Sequence, residues 1–193
     1  MKNLKYIFII ITLLGTLTYI GFKKVNLNPN YTVGEPIDSL NHVVVYYNGG
    51  YNTIEGRNTD NGYNVGLKYQ CVEYVKRYYL EYYNHQMPNS YGNAKDFFNT
   101  SLKDGDYSKD RGLNQFTNPS QTKPKVGDLL IYSATIFNSA GHVAIVSNVT
   151  DNEIEIIQQN AGPFSSSREK YALIYENEKW RIDNSRILGW LRK

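Results

Sequence analysis

The sequence contains one cysteine, Cys71, and three histidines among its 193 residues. A single cysteine excludes an intramolecular disulfide, so the fold has to rest on its hydrophobic core. Such a cysteine is either a small buried apolar residue or a reactive group. Thiol and imidazole groups are also too few and too scattered to support a structural zinc site. We therefore expect neither a metal ion nor another cofactor.

Beyond its first 24 residues, the chain has no excess of positive charge. The net charge is +3, with 21 basic and 18 acidic residues. Four of the lysines lie within residues 1–24, which contain no acid, so the remainder carries 17 basic against 18 acidic residues. Nucleic-acid binding requires a basic surface. This balance excludes that class of function, and we expect no nucleic-acid partner.

The one long apolar run covers residues 6–22 (YIFIIITLLGTLTYIGF) and has lysines on both sides. Its 17 residues reach roughly 25 Å, the lower limit for crossing a bilayer, and no A-x-A cleavage pattern accompanies it. The run predicts one uncleaved transmembrane helix in residues 1–24. That helix would hold the domain outside the cytoplasm at the cell membrane, with secretion after signal cleavage as the alternative. Residues 25–36, rich in Asn, Pro and Gly, predict a linker, and residues 37–193 the folded domain.

The pattern of this domain changes at Cys71. Before it, residues 42–47 predict a strand and residues 51–66 a loop. After it, apolar residues at three- and four-residue steps predict an amphipathic helix, and a second, shorter helix is expected within 94–102. The second half predicts strands at residues 126–132, 142–149, 154–159, 173–175 and 187–191. Helices followed by strands are typical of an α+β domain, here with N-terminal helices packed on an antiparallel sheet.

Cys71 lies where the predicted loop becomes a helix. Unpaired N–H groups and the helix dipole favour a thiolate at that end, and the thiolate is the form that attacks a carbonyl. A base is needed among the histidines. His85 follows the same helix and is disfavoured, His42 is not excluded, and His142 heads an apolar strand where it can face a cleft.

A third group should orient the imidazole of the base through its other nitrogen. Gln158 and Asn160 share one face of the strand after His142, whereas Gln159 points the other way. A short connection makes the two strands antiparallel neighbours. Either amide can therefore reach His142, and the sequence alone leaves the choice open.

Four segments occur in an order that resembles the CHAP family, the cysteine, histidine-dependent amidohydrolases and peptidases. They are residues 66–77 (GLKYQCVEYVKR), 124–130 (PKVGDLL), 141–146 (GHVAIV) and 158–160 (QQN). The resemblance runs from about Asn41 to residues 188–191. It implies a papain-like α+β fold and hydrolysis of amides through a thioester acyl-enzyme. Family members cut peptidoglycan, and the run around Cys71 resembles a branch that hydrolyses glutathionylspermidine.

The resemblance also implies roles for particular residues. Cys71 is the expected nucleophile and His142 its base, and the Cys71 backbone N–H with the Gln70 side chain is the expected oxyanion site. Many members have Glu where this chain has Gln158. The orienting role therefore stays open between Asn160 and Gln158.

Three functions follow as hypotheses. The first is a peptidoglycan amidase or endopeptidase, whose partner is the wall or a peptide-amide substrate. The second is an amidase of glutathione–polyamine conjugates, against which the N-terminal run counts. The third is an inert domain that binds wall fragments or a partner protein, suggested by Gln158. Two partial calcium-loop patterns, residues 104–110 and 58–62, lack required ligands and are interpreted as turns.

Overall fold

The computed structural model describes residues 2–24, 26–50 and 55–193. It has two α-helices, α1 (Lys2–Lys24) and α2 (Cys71–Tyr83), and a one-turn 3-10 helix at Ala94–Phe97. The strands are β1 (Pro36–Leu40), β2 (Val43–Tyr46), β3 (Arg57–Asp60), β4 (Tyr63–Leu67), β5 (Tyr107–Ser108), β6 (Leu113–Thr117), β7 (Leu129–Tyr132), β8 (His142–Val149), β9 (Glu153–Ile157), β10 (Arg168–Glu176), β11 (Lys179–Ile182) and β12 (Ile187–Arg192).

Eight of these strands form one sheet in the order β11-β10-β9-β8-β7-β12-β6-β5. Every neighbouring pair in it is antiparallel. The last strand, β12, lies between β7 and β6, so the end of the chain closes the middle of the sheet. The hairpins β1–β2 and β3–β4 form two further small sheets.

The central strands are buried on both faces. Along β7, Leu129 and Ile131 belong to the core that α2 covers, whereas Leu130 and Tyr132 belong to a second core on the opposite face. This alternation follows from the two-residue period of a strand. On α2, the fully buried side chains Tyr74, Val75, Tyr78 and Tyr79 pack on the sheet. Burying an aromatic or aliphatic side chain contributes roughly 1.5–3 kcal/mol, so this face fixes the helix firmly.

The expected transmembrane helix is a wrong prediction. Within the part of the chain that the structure describes, no helix is long and apolar enough to cross a membrane. The apolar run of α1 reaches roughly 25 Å, short of a hydrocarbon core of about 30 Å, and threonines at positions 12, 16 and 18 interrupt it. The predicted single-pass anchor and the membrane location derived from it are therefore wrong predictions as well.

The expected layer of N-terminal helices also needs correction. One α-helix, α2, packs on the sheet, and the predicted helix over 94–102 is a single 3-10 turn. The predicted loop over 51–66 contains the β3–β4 hairpin, and its residues 51–54 lie outside the described part. In the predicted linker, Asn28 is buried and donates a hydrogen bond to the carbonyl of Pro163. That segment therefore contacts the domain.

Candidate active site

Cys71 is the first residue of α2, as the change of pattern predicted. Gln70 before it is extended, with φ −87° and ψ 157°. Gly66 allows β4 to pass close to the first turn: it has φ +144°, and a Cβ there would lie 2.9 Å from the Cα of Glu73. A glycine is therefore required where the hairpin meets the helix. The hairpin and the sheet together fix the position of the thiol.

The thiol of Cys71 lies beside the strand that carries the candidate base. Backbone N–H groups of Val143 and Val72 hydrogen-bond it, and these lower its pKa, but burial is the larger effect and raises the pKa to about 11. The helix N-terminus alone predicted a shift in the opposite direction. The thiol is therefore protonated at neutral pH until a base removes its proton.

His142 begins β8, opposite Tyr132 of β7. Its Nε2 lies 2.9 Å from Oε1 of Gln158, and an amide oxygen only accepts, so Nε2 is the donor. Burial lowers the pKa of His142 to about 4, although the Gln158 hydrogen bond raises it; Arg186 lowers it and Glu169 raises it. The imidazole is neutral at pH 7, and its Nδ1 then carries a lone pair that can accept a proton.

The two amides that the sequence left as alternatives have different contacts. Gln158 contacts His142, whereas Asn160 donates from Nδ2 to Oε1 of Gln70 over 2.6 Å. Asn160 is itself held by Asn48, whose Nδ2 donates to its Oδ1 over 2.8 Å. The geometry thus supports Gln158 as the group beside the base and Asn160 as the group beside the expected oxyanion donor.

Gln159 points away from the cleft, as the strand period predicted. It donates to the carbonyl of Gln70 over 3.0 Å and to Glu73 over 2.9 Å. Glu73 is buried and paired with Arg77 at 2.7 Å. Since breaking a buried ion pair costs about 3–5 kcal/mol, this network holds the start of α2 against the segment that follows β9, where Gln158 also lies.

A cleft of about 640 Å³ has Cys71 and His142 in its wall. Of the other histidines, His85 lies 2.9 Å from the carbonyl of Arg111 and His42 lies in the turn before β2; neither lines the cleft. A second cavity of about 330 Å³ also has Cys71 in its wall, so two cavities adjoin this residue. The cleft residues that sequence reasoning missed include Tyr132, Phe137, Glu169 and Arg186.

Of the two partial calcium patterns, residues 58–62 form the end of β3 and the turn after it, and residues 104–110 include β5. Asp104 accepts hydrogen bonds from Thr117, Ser120 and Gln121, which ties the loop to the sheet. Across the described ranges, no group of three His, Cys, Asp or Glu side chains is placed to hold a metal ion. The cleft contains a thiol and a neutral imidazole, and this combination is suited to acyl transfer.

Comparison with known proteins identifies the family. The CHAP domain family matches residues 58–160, more than half of the chain. The protein belongs to the CHAP domain family.

Two curated relatives are similar over part of their length. Over 120 residues the chain is 29% identical to trypanothione synthetase of Crithidia fasciculata. The aligned region is 62% of this chain and 18% of that protein. Over 138 residues it is 28% identical to the bifunctional glutathionylspermidine synthetase/amidase of Escherichia coli (strain K12). That aligned region is 66% of this chain and 22% of the relative. The chain thus spans about a fifth of these relatives.

Among solved structures, the crystal structure of Ly7917 with the hydrolyzing product of MDP aligns with 39% of this chain and 30% of that chain, at 23% identity and a TM-score of 0.28.

Proposed function

We propose that the protein hydrolyses amide bonds through a covalent cysteine mechanism, with Cys71 as nucleophile and His142 as base. The observation that carries this proposal is their shared cleft, in which Gln158 binds Nε2 of His142 and leaves Nδ1 as the basic atom. A nucleophile, a base and a group that orients the base are the parts that such catalysis requires.

The shifted pKa values indicate the protonation states from which the reaction starts. Because the pKa of the Cys71 thiol is raised to about 11 and that of His142 is lowered to about 4, both groups rest in their neutral forms at pH 7. His142 Nδ1 takes the thiol proton as sulfur bonds to the carbonyl carbon. The C–N bond then breaks, and the same proton passes to the leaving amine. Water, deprotonated by His142, hydrolyses the thioester and releases the thiol.

The developing oxyanion needs donors at the start of α2. The Cys71 N–H is one of the amides that a helix leaves without an intrahelical partner at its first turn, and the Gln70 side chain lines the cleft next to it. Nδ2 of Asn160 donates a hydrogen bond to Oε1 of Gln70 and so holds that side chain. These contacts support the Cys71 N–H and Gln70 as the oxyanion site, since fixed donors stabilise such a charge most effectively.

For the substrate we propose peptidoglycan, cut at an amide of its peptide portion. Two cavities adjoin Cys71, which suits a bond inside a longer molecule. Each has an exposed aromatic ring in its wall, Phe137 in the first with 94% and Tyr91 in the second with 68% of its surface in solvent. Such rings can stack on the apolar face of a sugar or on peptide methyl groups.

A glutathione–polyamine amide is the second candidate. It is favoured by the identity of 28% to the bifunctional glutathionylspermidine synthetase/amidase, whose matched segment includes the Cys71 region. The expected membrane anchor was the argument against this substrate, and that anchor is not found in the described residues.

The test compares the full-length protein with Cys71→Ala and Cys71→Ser on purified peptidoglycan and on glutathionylspermidine, with products read by mass spectrometry. New wall fragments from the wild type alone would support the first candidate, and their masses would identify the bond. Free spermidine would support the second. No product from either substrate would contradict both and favour the inert binding domain, which the raised thiol pKa and Gln158 also suit.

A further inference from the structure

We propose that Glu169 is a positioning residue that fixes the orientation of the Gln158 amide and thereby places the ring proton of His142 on Nε2. This inference rests on the proposed function, in which Nδ1 of His142 must be the basic atom. Glu169 is on β10, the strand that pairs with β9, and its side chain lines the same cleft as Cys71.

The Nε2 end of the Gln158 amide faces two acceptors. Its Nε2 lies 3.3 Å from the carbonyl of Ser166 and 3.5 Å from Oε2 of Glu169. A carbonyl and a carboxylate offer lone pairs and no protons, so the NH₂ end of the amide must face them. The Oε1 end must then face His142, as it does at 2.9 Å.

This orientation decides the tautomer of the base. A neutral imidazole carries one proton, and the nitrogen next to an amide oxygen is the one that keeps it. With Oε1 beside Nε2, the proton stays on Nε2 and Nδ1 is free to take the thiol proton. A flipped amide would present N–H to Nε2, move the proton to Nδ1 and leave no base for Cys71. The carboxylate thus acts through Gln158 rather than on the substrate.

The departure from the family pattern gives this contact its importance. Where many family members have a carboxylate beside the histidine, this chain has Gln158, whose amide can flip. Glu169 supplies a carboxylate from the neighbouring strand, on the far side of that amide. Its negative charge also raises the pKa of His142, against the effect of burial and of Arg186. The other titratable groups beside the ring are Cys71 from α2 and Tyr132 from β7.

The test needs no substrate at its first stage. Histidine labelled with ¹⁵N in the full-length protein reports the tautomer of each neutral ring, and His142→Asn assigns the signal. We expect the Nε2–H form in the wild type at pH 7. We expect a mixture of both tautomers in Glu169→Gln, whose amide can also donate to Gln158. In the exchanged variant Gln158→Glu/Glu169→Gln, a carboxylate contacts the ring directly and the Nε2–H form should return.

Hydrolysis of the amide substrate provides the second stage. Loss of the group that holds a tautomer costs up to about 10⁴-fold in a serine protease. Ser166 still holds the amide here, so we expect about a 10-fold loss of kcat in Glu169→Gln and recovery in the exchanged variant. Glu176→Gln removes the same charge from an exposed site on the same strand, where Glu176 pairs with Arg181, and should change neither readout.

An Nδ1–H tautomer in the wild type would overturn the proposal. So would a Glu169→Gln protein that keeps both the Nε2–H form and full hydrolysis, or an exchanged variant that folds but recovers neither. If every tautomer is as expected and no variant hydrolyses any amide, the positioning role stands and the proposed function fails.

Discussion

Oε1 of Gln158 lies 2.9 Å from Nε2 of His142, in the place where many CHAP proteins have a glutamate. A neutral amide holds the ring in position but stabilises an imidazolium less than a carboxylate does. Burial lowers the pKa of His142 to about 4, and the Gln158 hydrogen bond offsets only part of this effect. We therefore expect Gln158 to affect the pH range of hydrolysis and His142 to affect the pH dependence of stability.

Replacing Gln158 with Leu should remove orientation while keeping most of the side-chain volume. The Nε2–H of His142 would lose its acceptor, and we expect kcat/KM to fall by about 10²- to 10³-fold, in the range seen for loss of a positioned catalytic hydrogen bond. Because the Gln158 hydrogen bond raises the pKa of His142, the acid limb of the pH profile should move to lower pH. Unchanged kcat/KM in a folded variant would exclude an orienting role for Gln158.

His142 also predicts a pH dependence of stability. Its pKa is about 4 in the folded protein and about 6.5 when exposed. The unfolded chain then binds a proton that the folded protein does not, so this contribution is complete above pH 6.5 and is lost as pH falls towards 4. Urea unfolding of the wild type and His142→Asn between pH 7 and 4 measures it. The difference in free energy of unfolding should shrink by at most about 3 kcal/mol, and parallel curves would contradict the shift.

We expect Gln70 and Asn160 to act as a coupled pair in catalysis. If Gln70 donates to the oxyanion, Gln70→Ala should lower kcat by about 10²-fold or more. Asn160 has φ +59°, so Asn160→Gly is the suitable variant because glycine tolerates that conformation. Since Asn160 acts through Gln70, the double variant should be no slower than Gln70→Ala alone. Multiplicative losses in kcat would show that the two residues act separately.

The sequence predicted where helices and strands begin better than it predicted how far the residues at those positions are buried. The helix start at Cys71 and the strand start at His142 follow from local periodicity, and the structure has both. The thiol pKa was predicted in the wrong direction, because burial depends on β8 packing against α2, which no local pattern contains. Glu169 was not identified, since strand alternation gives the face on which it lies but does not show that its carboxylate reaches the Gln158 amide. The sheet order, with β12 between β7 and β6, likewise depends on long-range pairing.

The α1 helix shows the opposite failure. Its composition looks like a membrane span, yet the apolar run of residues 6–22 reaches only roughly 25 Å, the lower limit for crossing a bilayer. The prediction accepted this marginal length and therefore gave too much weight to the run. In the folded domain, by contrast, three of the four segments that carry the family resemblance contribute to the cleft, since Gln70, Cys71, His142 and Gln158 line it together.

Gly66 provides a test of how the nucleophile is placed. A Cβ at this position would lie 2.9 Å from the Cα of Glu73, and φ is +144°. Gly66→Ala must therefore push β4 away from the first turn of α2, and we expect it to lower the free energy of unfolding by about 1–3 kcal/mol and hydrolysis by at least about 10-fold through displacement of Cys71. Gly56→Ala is the matched control, because its φ is +97° but no atom lies within 4 Å of the added Cβ. It should cost stability through backbone strain alone and leave the rate per folded molecule unchanged. Equal rates for the two folded variants would show that the contact between Gly66 and Glu73 does not position the thiol.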